Sequence, residues 1–150
     1  NVDELDALFN KRSGMMGMTG FGDLREVHRL VAEGNEDAKL ALDVYVHRIV
    51  GYIGNYTAQM GGVDVITFTA GVGENDDVVR KMVCDKLAPF GVKLDEEKNA
   101  TRSKEPRIIS TPDSKITICV IPTNEELAIA RKSAAIAEAG EDTYGNVFSK

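Results

Sequence analysis

Residues 65–77 read VITFTAGVGENDD, and this segment decides the fold. Its first five residues are β-branched or aromatic, which predicts a strand that is buried on both faces. Two glycines then predict a loop whose bare backbone a ligand can approach, because glycine permits backbone angles that other residues resist. Two aspartates suit the first turn of a following helix, whose free N–H groups attract anions such as a polyphosphate. An ordinary strand-to-helix turn has the same pattern, so the segment alone leaves both interpretations open.

The rest of the chain extends this strand, loop and helix into an α/β pattern. Helices are predicted at 3–9, 23–33, 36–60, 77–87 and 124–139, and strands at 63–69, 107–110 and 115–121. Residues 13–22 are glycine-rich and predict a loop with apolar anchors, whereas 94–102 is a short helix or a loop. Ligands bind at the carboxyl ends of strands in such folds, and both Gly71 and Glu125 fall at such ends.

Composition narrows the possible classes of function. A net charge of −6 and a pI near 5.0, without a Lys/Arg-rich block, argue against a nucleic-acid surface. Cys84 and Cys119 are isolated in apolar segments, which predicts reduced core thiols and a cytoplasmic protein. The chain shows neither a signal sequence nor an apolar run of membrane-spanning length. A start at Asn1 suggests a chain cut from a longer one, and the polar residues 140–150 are expected to form a flexible tail.

Five separated blocks of sequence resemble the C-terminal part of the acetate kinases, the acetokinase family. They are SGMMGMTG (13–20), DLREV (23–27), ALDVYVHRIVGYIG (41–54), GGVDVITFTAGVGEND (61–76) and IPTNEELAIAR (121–131). They follow the family's order. The resemblance implies that residues 1–139 are the C-terminal lobe of a ribonuclease H-like, actin-like ATPase fold, with a mixed sheet flanked by helices. It also implies transfer of the γ-phosphoryl group of ATP to acetate, giving acetyl phosphate and ADP.

The same resemblance implies a nucleotide site with Mg²⁺. Carried over by position, the nucleotide-binding residues are Asp23, Leu24 and Arg25 on one side and Gly71, Val72, Gly73, Glu74 and Asn75 on the other, with Glu125 associated with the metal. Two departures from the family pattern stand out. The segment between Gly20 and Asp23 is about one residue shorter than usual, and Val72 replaces a commoner isoleucine.

Each of these residues also has a structural interpretation. Arg25 can pair with a nearby acid such as Asp23 or Glu26 on the helix surface, and Asn75 can cap the helix that follows it. Thr123 and Glu126 have the spacing of a capping box, which leaves Glu125 as an acid that the helix dipole favours. His28 and His47 lie in helical stretches, and we expect both to be structural or surface residues.

The resemblance also limits what this chain can do alone. In the family, the acetate pocket and the catalytic side chains lie upstream of this segment, so we expect no catalytic residue here. The chain is then an adenine-nucleotide-binding lobe that forms a homodimer, with helix 36–60 as the candidate contact. Two alternatives remain open: the lobe of a propionate or butyrate kinase, and a non-catalytic actin-like module for oligomerisation. A P-loop is excluded because no G-K-[ST] follows Gly71 and Gly73, and a dinucleotide-binding motif is excluded because no third glycine follows them.

Overall fold

The structure, a computed structural model, describes residues 1–139, so the predicted flexible tail at 140–150 lies outside the described residues. The helices are α1 (Val2–Lys11), α2 (Gly14–Thr19), α3 (Leu24–Ala32), α4 (Glu36–Met60), α5 (Ala70–Asn75), α6 (Asp77–Leu87), α7 (Glu96–Ala100) and α8 (Glu125–Ala139), with a single 3₁₀ turn at Ala88–Phe90. The strands are β1 (Val65–Phe68), β2 (Arg107–Ile108) and β3 (Thr117–Val120). The long helices and the strands predicted from the sequence are confirmed, with ends shifted by a few residues.

The three strands form one mixed sheet in the order β1-β3-β2. Strand β3 pairs parallel with β1, from Val65 opposite Thr117 to Phe68 opposite Val120, and antiparallel with β2. Strand β3 is therefore the central strand of the sheet. The prediction that β1 is buried on both faces is wrong in the described part of the chain, because β1 is an edge strand and Val65 is 50% exposed. Parallel pairing brings the carboxyl ends of β1 and β3 to the same edge.

The core lies between the sheet, α4 and α6. Its largest fully buried side chains are Val27, Val46, Val83, Cys84, Ile109, Ile118 and Val120. Burial raises the pKa of the Cys84 thiol to about 11, and both cysteines are free, as predicted. Among residues 1–139, no helix is both long and apolar enough to cross a membrane.

One face of the amino-terminal half of α4 is buried, at Ala38, Ala41, Leu42 and Val46, whereas the carboxyl-terminal half is largely exposed. Tyr52 and Tyr56 stack on this exposed part with ring centroids 6.5 Å apart. Gly51 and Gly54 do not serve close packing in the described part of the chain, because no atom beyond the local helix backbone lies within 4 Å of the position that a Cβ would take at either glycine.

Two predicted loops are short helices instead. Residues 14–19 of the predicted loop 13–22 form α2, which packs on α4, and residues 70–75, expected to be a glycine loop, form α5. Glycine disfavours a helix by about 1 kcal/mol per residue, but packing against neighbouring elements outweighs such local preferences. The strand β1, the helical turn α5 and the helix α6 therefore follow one another almost without an intervening loop.

Candidate functional site

A cleft of about 860 Å³ opens beside the carboxyl end of β1. Its lining residues are Met15, Gly22, Asp23, Leu24, Arg25, Tyr45, Gly71, Val72, Asn75, Asp76 and Arg102. A polar recess of about 350 Å³ is lined by Ala70, Gly71, Thr123, Asn124, Glu125 and Glu126. Gly71 lines both spaces. The structure thus brings six of the eight predicted nucleotide residues to the main cleft and places Glu125 in the adjoining recess.

Helix α5 presents open backbone at the junction of cleft and recess. Among residues 1–139, no atom of a packed neighbour lies within 4 Å of the position that a Cβ would take at Gly71, and no side chain caps the first turn of the helix. The backbone angles expected of the glycines are instead found at Ala70, which has a φ of +58°, a conformation that non-glycine residues adopt at some energetic cost. A ligand can therefore approach this backbone at Gly71, as the sequence predicts, although the glycine φ values are ordinary.

Gly73 and Glu74 line neither space. A Cβ on Gly73 would lie 3.1 Å from the carbonyl carbon of Phe68, so this glycine permits close packing of α5 on β1. The Glu74 carboxylate accepts hydrogen bonds from the Thr123 backbone N–H at 2.8 Å and from the Thr123 hydroxyl at 3.2 Å. Glu74 thereby ties α5 to the segment that enters α8.

The predicted capping box at the start of α8 is absent. Asn124 is the residue whose side chain accepts from Leu127 N–H at 3.0 Å, while the Thr123 side chain is bonded to Glu74 instead. Helix α6 similarly begins without the predicted cap from Asn75. Asp76 accepts from Val79 N–H at 2.9 Å, because the Asn75 amide donates to the Gly71 carbonyl at 2.8 Å.

The opposite wall of the cleft is the start of α3. Asp23 caps this helix by accepting from Arg25 N–H at 2.9 Å, and the Arg25 guanidinium donates to both carboxylate oxygens at 2.6–3.1 Å. These bonds to Arg25 lower the pKa of Asp23 to about 2. The Arg25 side chain remains 89% exposed, so it keeps free donors for a ligand. Glu26, the other acid considered for Arg25, pairs with Arg29 at 3.0 Å.

His28 joins α3 to the start of α6 behind the cleft. Its Nε2 atom lies 2.7 Å from Asp76 Oδ2, and both side chains are largely buried. This contact fits the structural role expected for His28, and His47 is exposed on α4, which fits the other half of that expectation.

Two carboxylates, Glu125 and Glu126, line the recess, and the sequence assigns Glu125 to the metal ion. In the part of the chain that the structure describes, Glu125 makes no hydrogen bond or ion pair, and no group of three His, Cys, Asp or Glu side chains could hold a metal. Mg²⁺ commonly keeps several waters and is held by one or two carboxylates together with the phosphates of a nucleotide. The recess therefore fits Mg²⁺ that arrives with a phosphorylated ligand, and it does not fit a permanent structural metal.

Sequence reasoning missed several residues of the cleft, notably Tyr45 and Arg102. Tyr45 occupies an apolar position of α4, and burial, with a smaller effect of the Asp76 charge, raises its pKa. Arg102 follows α7 in a polar stretch without periodicity. Neither position carries a local signal, because each reaches the cleft only through packing between distant segments.

The fold and the site define an α/β protein with a cleft at the carboxyl ends of its parallel strands. The sequence profile of the acetokinase family matches residues 1–131. The chain belongs to that family.

Individual relatives agree with this assignment. The chain is 52% identical over 139 residues to the acetate kinase of Leifsonia xyli, which covers 93% of this chain and 35% of that protein. It is similar to the solved structure of Porphyromonas gingivalis acetate kinase, with a TM-score of 0.82, 41% identity and coverage of 91% of this chain and 35% of that one. It is also similar to the solved structure of a propionate kinase from Francisella tularensis, with a TM-score of 0.78 and 39% identity. That match covers 87% of this chain and 33% of the propionate kinase. The chain thus spans about a third of the length of the relatives it matches.

Proposed function

We propose that this chain is the adenine-nucleotide-binding lobe of an acetate kinase. The parent enzyme then transfers the γ-phosphoryl group of ATP to acetate, and the lobe is one half of an actin-like ATPase fold. Membership of the acetokinase family supports this proposal, as does the 52% identity to a named acetate kinase. The single observation that carries it is that Gly71, whose Cβ position is open, lines both the cleft and the recess.

The main cleft suits the nucleoside part of the ligand. Leu24, Val72 and Met15 give it an apolar surface on which a base can lie, and the exposed Arg25 can donate hydrogen bonds or stack on the ring. Asp23 keeps the Arg25 guanidinium at the cleft wall through their paired hydrogen bonds. The base and ribose would lie between α3 and α5.

The recess suits the phosphates only together with a cation. Glu125 and Glu126 are exposed acids beside Gly71, and their charges repel a free polyphosphate. Mg²⁺ bound to the phosphates reverses this repulsion, with Glu125 as the proposed carboxylate that holds the hydrated ion. When bound, the ion would neutralise phosphate charge and orient the phosphate chain.

We further propose that the chain alone lacks catalytic activity. Phosphoryl transfer to a carboxylate needs cationic groups around the transferring phosphate and in-line placement of the acceptor. The recess side chains in residues 1–139 include two acids and no lysine or arginine. Acetate would bind to the remainder of the parent protein, and the exposed part of α4 would mediate a homodimer.

Propionate, a second candidate acceptor of the phosphoryl group, also has support from the comparisons. The similarity to a propionate kinase structure is nearly as high as the similarity to an acetate kinase structure. The proposed nucleotide site is compatible with either acceptor, because neither acid contacts this lobe in the proposal. Assays of the full-length protein with ATP and each acid would separate the two activities.

Calorimetric titration of the 150-residue chain with Mg·ADP tests the proposed site. We expect saturable binding that Arg25→Ala weakens about tenfold, because hydrogen bonds from a charged donor are lost. Arg29→Ala is the matched control, since Arg29 lies one turn further along α3 and pairs with Glu26 and Glu33. Absence of binding to the unmodified chain would contradict the proposal, and so would equal affinities of the two variants.

A further inference from the structure

A buried arginine connects the two segments that flank the cleft. Arg80 is 2% exposed, and its Nη1 donates to the carbonyls of Gly73 and Glu74 at 3.0 Å each. On the other side, Arg80 Nε donates to Asn99 Oδ1 at 2.8 Å, and Nη2 donates to the Asn99 carbonyl at 2.7 Å. A buried guanidinium with four hydrogen bonds fixes both partners, because breaking any of them would leave a buried polar group unsatisfied.

Asn99 connects this hydrogen-bonded cluster to the segment after α7. The residue is 4% exposed, and its side-chain amide also donates to the Asp77 carbonyl at 2.9 Å. Asn99 lies in the last turn of α7, and Arg102 follows three residues later. The position of the Arg102 backbone is therefore set by the same buried cluster that holds the end of α5.

Arg102 reaches the main cleft without a partner. Within residues 1–139, two arginines line this cleft: Arg25 is paired with Asp23, whereas Arg102 makes no hydrogen bond or ion pair. Arg102 does not line the recess that contains Glu125. Arg102 thus belongs to the part of the site that the proposed function gives to the base and ribose.

We infer that Arg102 is a further ligand-binding residue, which contacts the nucleoside part of the nucleotide, and that Asn99 is its positioning residue through Arg80. This inference rests on the proposed function. A planar guanidinium can stack on a purine face and can donate to ring nitrogens or ribose oxygens, so it suits a nucleoside as well as an anion. With Arg25 on α3, the ligand would lie between two arginines from distant segments.

Titration of the 150-residue chain with adenosine and with Mg·ADP, followed by NMR, tests the contact. We expect Arg102→Ala to weaken both ligands by the same factor, about fivefold, and Arg102→Lys to recover only part of the loss, because lysine lacks the planar group. Lys104→Ala is the control, since Lys104 is exposed two residues further on and does not line the cleft. Unchanged affinities in Arg102→Ala would overturn the inference, and a loss confined to Mg·ADP would also do so, because it would indicate a phosphate contact.

A double-mutant cycle tests the role of Asn99. We expect Asn99→Ala to weaken adenosine binding in the unmodified chain but to have no further effect in the Arg102→Ala background. Equal losses in both backgrounds would indicate general destabilisation and would overturn the positioning role. Failure of the unmodified chain to bind either ligand would overturn the proposed function together with this inference, whereas normal binding that Arg102→Ala leaves intact would overturn the inference alone.

Discussion

At the scale of single residues, Gly71 and Gly73 are two positions apart in α5 but face different surroundings. Gly71 faces open space at the junction of cleft and recess, whereas Gly73 packs against the backbone of Phe68. The sequence makes both glycines candidate ligand-binding residues, because a glycine that contacts a ligand and a glycine that permits close packing look the same in a sequence. Only the packing of α5 on β1 separates the two roles.

We predict opposite effects of alanine at the two glycines. Gly73→Ala forces a Cβ against the Phe68 backbone and should lower the free energy of unfolding by about 1–3 kcal/mol. Gly71→Ala should leave stability equal or raise it by up to about 1 kcal/mol, since alanine favours a helix. If a phosphorylated ligand approaches the Gly71 backbone, only Gly71→Ala weakens Mg·ADP binding without loss of stability. Urea denaturation and calorimetry measure the two quantities, and a large loss of stability in Gly71→Ala would refute the assignment.

The Asp23 carboxylate should titrate unusually low. Hydrogen bonds from Arg25 lower the pKa of Asp23 from 3.8 to about 2. The pair therefore stabilises the folded state above the ordinary pKa of Asp23, and this stabilisation is lost as the pH falls through about 2. NMR titration of the Asp23 carboxyl carbon should therefore give a midpoint near 2, and Arg25→Ala should move it back towards 3.8. A midpoint near 3.8 in the unmodified chain would show that the pair does not persist in solution.

At the scale of elements, the sequence predicts the long helices and the strands but not the two short glycine-containing helices. Helices α4 and α6 have regular apolar spacing and flanking glycine or proline, which are local signals. The helices α2 and α5 are too short and too rich in glycine to show that spacing, and they form because packing on α4 and β1 outweighs the cost of glycine. The caps at Asp76 and Asn124 also differ from the predicted ones, since Asn75 donates to the Gly71 carbonyl and the Thr123 side chain is bonded to Glu74.

The bond between Glu74 and Thr123 should control how α8 is held at the recess. Glu74→Ala removes the carboxylate oxygen that accepts both bonds, so it should speed amide hydrogen exchange in the first turn of α8 and weaken Mg·ADP binding about three- to tenfold. Glu74→Gln retains a side-chain oxygen that can accept the same bonds, so we expect smaller changes. Identical exchange in the alanine variant and the unmodified chain would show that this contact does not order the segment.

At the scale of the whole molecule, the sequence predicts the meeting of Gly71 and Glu125 because parallel strands end at a common edge. This expectation is met, since Gly71 lines the recess together with Glu125. The placement of Arg102, Tyr45 and the buried Arg80 was not predictable, because these side chains meet the site through contacts between segments far apart in sequence. The family resemblance supplied most of the remaining site residues.

The central claim is that a single nucleotide spans the cleft and the recess. Amide NMR spectra of the 150-residue chain, recorded during titration with Mg·ADP, test this directly. We predict that the signals of Leu24, Gly71 and Glu125 shift together with one dissociation constant, and that chelating the Mg²⁺ removes the response of Glu125 first. Independent responses of these three signals, or shifts confined to the exposed half of α4, would contradict the account.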